Sequence, residues 1–132
     1  GEALMGSQEY GIEQGASQQV AKLIKELADH KHEIGIVVGG GNIFRGIQQG
    51  PFLKVARTPA DQMGMLATLI NGIALQQALI QEGCNVCMMT ALECPSVAEK
   101  FQWEKAMQAL SKGCIVLFVG GTGHPYFTTD TT

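Results

Sequence analysis

Residues 34–42 read Ile-Gly-Ile-Val-Val-Gly-Gly-Gly-Asn, a short β-branched run that stops on three glycines. A run that is apolar at consecutive positions, rather than alternating, predicts a strand buried on both faces. A second run of this kind, Cys114 to Val119, stops on Gly120 and Gly121, and Val86 to Met89 reads as a third strand. Helical spacing fills the intervals. Val20, Leu23, Ile24, Leu27 and Ala28 predict a helix with Ser17 as its N-cap, after a polar loop over residues 1–16. Thr58 and Pro59 predict the cap and first turn of a long helix that runs to about Glu82 and stops at Gly83. That helix is apolar nearly all round, from Met63 to Ile80, so it is expected between the sheet and a second layer or partner. Ser96 and Glu99 have the spacing of a capping box, ahead of a helix through Trp103, Ala106, Met107 and Leu110 that ends at Gly113. Strands alternating with helices over short connections predict an α/β fold: a parallel sheet with helices on both faces, in one domain and without internal repeats.

The composition excludes several classes. Seventeen glycines in 132 residues are nearly twice the ~7% of average usage, but there is no collagen period, and 45% hydrophobic residues with four prolines do not describe a disordered tract. A net charge of -3 offers no field for a nucleic-acid backbone. The apolar segment of residues 63–80 is interrupted by Asn71, Gln76 and Gln77, so no membrane span is predicted, and no signal peptide is predicted either. Cys84 and Cys87 have C-x-x-C spacing, but residues three apart on a strand point to opposite faces and no second pair completes four ligands. With Cys94 and Cys114 they read as small packing residues in a reducing compartment. His30 and His32 lie at a predicted helix end, where the dipole accounts for them.

Chemistry is expected at the strand ends. In open α/β sheets ligands bind beyond the carboxyl ends of the strands, where glycine lets backbone amides approach an anion. GGGN at 39–42 and GGTG at 120–123 both occupy that position. Either cluster alone is accounted for by a tight turn; two at equivalent ends point to a ligand. Arg45 follows the first cluster, within reach of a phosphate. Arg57 and Asp61 flank the start of the long helix, where Asp61 has two readings: a helix cap, or an acceptor for a ribose hydroxyl. Thr122, His124, Tyr126, Thr128, Thr129 and Asp130 crowd donors and acceptors after the second cluster. There is no P-loop, no dinucleotide fingerprint, no nucleophile elbow and no Ser-His-Asp set.

GEALMG at 1–6, GGGNIFRG at 39–46, DQMGMLAT at 61–68 and GTGHPYFTTDT at 121–131 together resemble the successive signatures of the bacterial uridylate (UMP) kinases, of the amino acid kinase fold. The resemblance covers the whole chain in order. It implies a three-layer αβα sandwich around a mainly parallel sheet. The implied reaction is transfer of the γ-phosphoryl group of ATP to UMP, giving ADP and UDP in pyrimidine nucleotide biosynthesis. By motif, Gly40, Asp61, Thr122, Gly123, His124, Pro125, Tyr126, Phe127, Thr128 and Thr129 would bind UMP. Gly1, Gly41 and Arg45 would face ATP, and Arg45 and Asp130 would act in catalysis. Gly6, Ser7, Gln8, Glu9, Tyr10 and Gly11 correspond to a region tied to allosteric activation by GTP.

The resemblance also implies Mg²⁺ arriving with ATP and held by no assigned protein ligand, a cytoplasmic homohexamer, and no nucleic-acid or membrane partner. Residues 1–132 would then be a partial domain, the UMP-binding half. The first strand with its lysine and serine, and the C-terminal half with most of the ATP site, would lie outside it, leaving the isolated piece inactive. At position 124 the family usually has Asn where this chain has His. Two other classes fit parts of the pattern: an enzyme of the same fold acting on a carboxylate or carbamate, and a non-catalytic nucleotide-binding or storage protein.

Overall fold

The computed structural model describes residues 14–40 and 56–121, with backbone alone at 14–16 and 57. Within them the chain forms α1 (Gln14–Asp29), β1 (Gly35–Val37), α2 (Arg57–Gln81), β2 (Val86–Thr90), β3 (Glu99–Lys100), α3 (Trp103–Ser111) and β4 (Ile115–Val119). The four strands are all parallel, in the order β1-β4-β2-β3. Helices α1 and α2 pack together on one face of the sheet and α3 on the other, giving three αβα layers.

The central strand β4 explains the layering. Its five residues IVLFV are all buried. Because side chains alternate across a strand, Ile115, Leu117 and Val119 join the core beneath α1 and α2, with Leu69, Leu75, Leu79 and Met88. Val116 and Phe118 join the smaller core beneath α3, with Met89 and Ala106. Cys84 packs against the first core and Cys87 against the second, on opposite faces of the sheet.

Several element boundaries differ from the sequence reading. Helix α1 begins at Gln14, so residues 14–16 are helical and Ser17 is no cap. Ser17 is buried, on the same helix stripe as Ala21, Ile24 and Ala28. Helix α2 begins at Arg57 after Ala56, whose side chain makes no capping bond, and Pro59 is its third residue. A proline there is tolerated because that N–H has no intrahelical acceptor. The Ser96–Glu99 capping box does not form: Val97 and Ala98 N–H donate to Cys94 O, and Glu99–Lys100 are extended, paired with Met89 and Thr90. Ala98 serves the first core and Phe101 packs edge-on to Phe118 (5.6 Å) in the second. Residues three apart that reach opposite faces of a sheet need extended backbone, because a helix would put them on one side. Strand β1 is half-buried rather than buried on both faces, and among the described residues it ends the sheet order with β4 as its neighbour.

By length and composition α2 is long and apolar enough to cross a membrane, contrary to the sequence reading. In the fold it is a core helix: Ala67, Thr68, Leu69, Asn71, Leu75, Ala78 and Leu79 are buried. It stops at Gln81, with Gly83 at φ +85°, as predicted. Helix α1 ends differently. Lys31 adopts φ +65°, the left-handed position that glycine usually takes after a helix, and His30 Nδ1 lies 2.7 Å from the Glu26 carbonyl in the last turn.

Two stability changes follow from this packing. Lys31→Gly removes the left-handed penalty and is expected to stabilise the fold by about 1 kcal/mol in denaturant titration. Gly72→Ala is expected to destabilise it by ~1–3 kcal/mol. The new Cβ would sit 2.5 Å from Val119 Cγ1 and 2.8 Å from Met88 Sδ.

Candidate functional site

The carboxyl ends of β1, β4 and β2 meet under the N-terminal half of α2. Three ties hold them there. Asn71 Nδ2 donates to the Gly39 carbonyl (2.6 Å), and the Gly120 N–H donates to Thr68 Oγ1 (2.6 Å). The Ala91 N–H donates to Val119 O (3.0 Å), joining the end of β2 to that of β4. Thr68 Oγ1 also donates to Met65 O (2.6 Å), the usual resting bond of a threonine inside a helix.

The glycines at these ends are sterically required. A Cβ on Gly40 would lie 2.7 Å from Thr68 N and 2.8 Å from Ala67 Cβ, so α2 rests almost backbone to backbone on the first cluster. Gly120 and Gly121 have φ +88° and +78°, and a Cβ on Gly120 would meet Thr90 Oγ1 at 2.5 Å. The need for glycine at 40 is therefore a packing need, where the sequence reading expected room for a ligand. At the second cluster the Gly120 N–H is already occupied by Thr68.

Asp61 takes its position from the same helix. The stripe that faces the sheet runs Thr68–Gly72–Leu75–Leu79, and the same line continued toward the N-terminus passes through Met65, Gly64 and Asp61. Seven residues before Thr68, Asp61 stands about 10 Å along the axis, past the ends of the strands. That is why a residue on the sheet-facing stripe is exposed. It is the fifth residue of α2, not its cap, which removes the capping alternative. Its carboxylate has no hydrogen bond or ion pair among the described residues. Gly64 has nothing within 4 Å of where a Cβ would stand among them, and the Met65 side chain lies against Gly121.

Of the residues singled out from sequence, the structure brings Gly40 and Asp61 to this end of the sheet. Gly1, Gly6, Ser7, Gln8, Glu9, Tyr10, Gly11, Gly41, Arg45, Thr122, Gly123, His124, Pro125, Tyr126, Phe127, Thr128, Thr129 and Asp130 lie outside the described residues. Thr68 and Asn71 were missed. Their signal was available: they are polar residues three apart in an apolar helix, a pair that must share one face. No group of three His, Cys, Asp or Glu side chains able to hold a metal ion occurs among the described residues. Burial and the Glu99 carboxylate, which accepts from Cys87 Sγ at 3.4 Å, push the Cys87 thiol up to about 11, away from nucleophilic use at neutral pH.

The model of the amino acid kinase family matches residues 5–132. The chain belongs to the amino acid kinase family. Within it, the chain is 58% identical to the uridylate kinase of Protochlamydia amoebophila (strain UWE25), over 99% of this chain and 52% of that protein. It is 51% identical to the uridylate kinase of Magnetococcus marinus, over 99% and 54%. Among solved structures it is similar to UMP kinase from Bacillus anthracis, with TM-score 0.81, 35% identity, and coverage of 98% of this chain and 53% of the other. The UMP kinase from Ureaplasma parvum gives TM-score 0.79, 36% identity, 97% and 55%. The chain spans about half the length of the curated relatives it matches.

Gly40→Ala and Gly64→Ala separate packing from open space in this family member. The first is expected to destabilise by roughly 2 kcal/mol or more, because its Cβ meets helix backbone. The second is expected to leave stability unchanged or raise it by up to ~1 kcal/mol through helix propensity. Thermal unfolding of both variants is the check. In alkylation with iodoacetamide at pH 8, Cys87 is expected to react slowly, and Glu99→Gln to speed it by removing one of the influences that hold the proton on sulfur.

Proposed function

We propose that this chain carries the acceptor side of a nucleoside monophosphate kinase that moves the γ-phosphoryl group of ATP to UMP, giving ADP and UDP. The observation that carries the reading is the meeting of two glycine strand ends under α2 with an exposed Asp61 beyond them, in a chain 58% identical to a uridylate kinase. A UMP phosphate oxygen is already anionic at neutral pH, so the acceptor needs no general base. The work left to the protein is to bring two polyanions in line and offset their repulsion.

In this reading Asp61 accepts from a ribose hydroxyl of UMP, and residues 122–129, from Thr122 to Thr129, wrap its phosphate and base. Gly40 belongs to the same UMP contact surface. Gly1, Gly41 and Arg45 face ATP, and Arg45 and Asp130 stand at the reacting phosphates. Mg²⁺ would arrive with ATP and neutralise phosphate charge, with no protein ligand assigned to it. GTP acting through residues 6–11, a cytoplasmic homohexamer, and a domain that these 132 residues fill only in part complete the proposal.

The test is UDP formation by the full-length protein. Asp61→Asn is expected to raise KM for UMP roughly 10- to 100-fold with KM for ATP little changed, the scale of a lost charge-assisted hydrogen bond. The 132 residues alone are expected to yield no UDP. Turnover of a carbamate or an amino-acid carboxylate in place of UMP would refute the proposal.

A further inference from the structure

We propose that Thr68 is a positioning residue for the phosphate acceptor, setting the direction in which the chain leaves β4 toward residues 122–129. The inference rests on the reading of that segment as the UMP side of the site. The peptide unit between Val119 and Gly120 is held at both of its polar ends. Its carbonyl accepts from the Ala91 N–H (3.0 Å) and its N–H donates to Thr68 Oγ1 (2.6 Å). Because the peptide is planar, two bonds on opposite edges fix its orientation as well as its place.

The surroundings leave the strand end no alternative seat. On one side Gly120 lies against Thr90 Oγ1 and the backbone of Ala91 and Leu92, and the Thr90 hydroxyl is itself engaged with Leu92 N (3.0 Å) and O (2.6 Å). On the other stand Thr68 and Met65 of α2, with Met65 Cγ 2.9 Å from where a Gly121 Cβ would be. Gly120 and Gly121 then turn the chain through two left-handed φ angles, so the orientation of the 119–120 peptide sets the direction the chain takes at Gly121.

The helix does not need this bond. Within α2 the hydroxyl is satisfied by Met65 O, and valine would fill the same volume in a site only 7% exposed. What valine cannot do is accept from a residue 52 positions on. Asn71, one turn later, ties the Gly39 carbonyl to the same helix, so α2 holds the first residues of both glycine clusters at a fixed separation. Transfer between two bound phosphates is sensitive to displacements of about 1 Å, which cost on the order of 10²-fold.

The experiment is steady-state UDP formation by the full-length protein with Thr68→Val and Thr68→Ser, alongside thermal unfolding and UMP titration. Thr68→Val is expected to raise KM for UMP or lower kcat/KM for UMP by at least ~10-fold while KM for ATP stays within about twofold, and Thr68→Ser to restore it. If Thr68→Val does not give folded protein, Thr68→Cys, with a weaker acceptor, is measured in its place with the same expectation. Wild-type values in the Val or Cys variant overturn the inference, as do equal losses for UMP and ATP that serine does not rescue. If the unmodified protein neither binds UMP nor forms UDP, the proposed function falls first, and the inference with it.

Discussion

The nearly bare contact between helix α2 and the sheet is the constraint on which the rest of the molecule depends. At Gly40 the strand end meets the helix backbone, and at Gly72 the helix meets Val119 and Met88, in each case closer than a Cβ allows. That approach makes two hydrogen bonds possible that a normal side-chain layer would keep apart: Asn71 to Gly39 and Gly120 to Thr68. Buried polar groups in a layer this apolar are costly unless paired, so the bonds and the close approach support each other. Each leaves the strand ends with a defined separation and direction.

The two-sided burial of β4 supplies the rest. A strand whose five residues are all interior needs a helical layer on each face, and the even and odd positions divide cleanly between the two cores. With α1 and α2 on one side and α3 on the other, the carboxyl ends of the parallel strands all open toward the same edge. Parallel sheets therefore collect their loops, and the chemistry those loops bear, at one end. Asp61 reaches that end because α2 is longer than the strands it covers: 25 residues, or about 37 Å, against five residues of β4.

Where the sequence reading missed, the reasons are tertiary. Ser17 looks like a cap because serine favours that place locally, yet it is buried three residues into the helix. The Ser96–Glu99 pair looks like a capping box, yet Ala98 and Phe101 must serve opposite faces, which a helix cannot do. The apolar girth of α2 predicts a second layer or partner; within this chain α2 is covered along the stripe on the sheet and by α1, and Leu66, Ile70, Ile73 and Ile80 are between 41% and 49% exposed.

The identity of α1, β1, α2, β2, α3 and β4, their alternation, the parallel fold and the location of the glycine clusters at strand ends were determined by the sequence, because buried runs, 3.6-residue periodicity and glycine stops are local physical signals; the two-residue β3 was not. Asp61 was found in the same way, as a charged residue near a helix start. Only the tertiary structure decided that Asp61 lies past the sheet edge instead of capping its helix, that Gly40 is a packing glycine, and that Thr68 and Asn71 hold the two strand ends. Those outcomes depend on which backbone comes within 3 Å of which, across separations of 32 and 52 residues, and spacing along the chain carries no record of that distance.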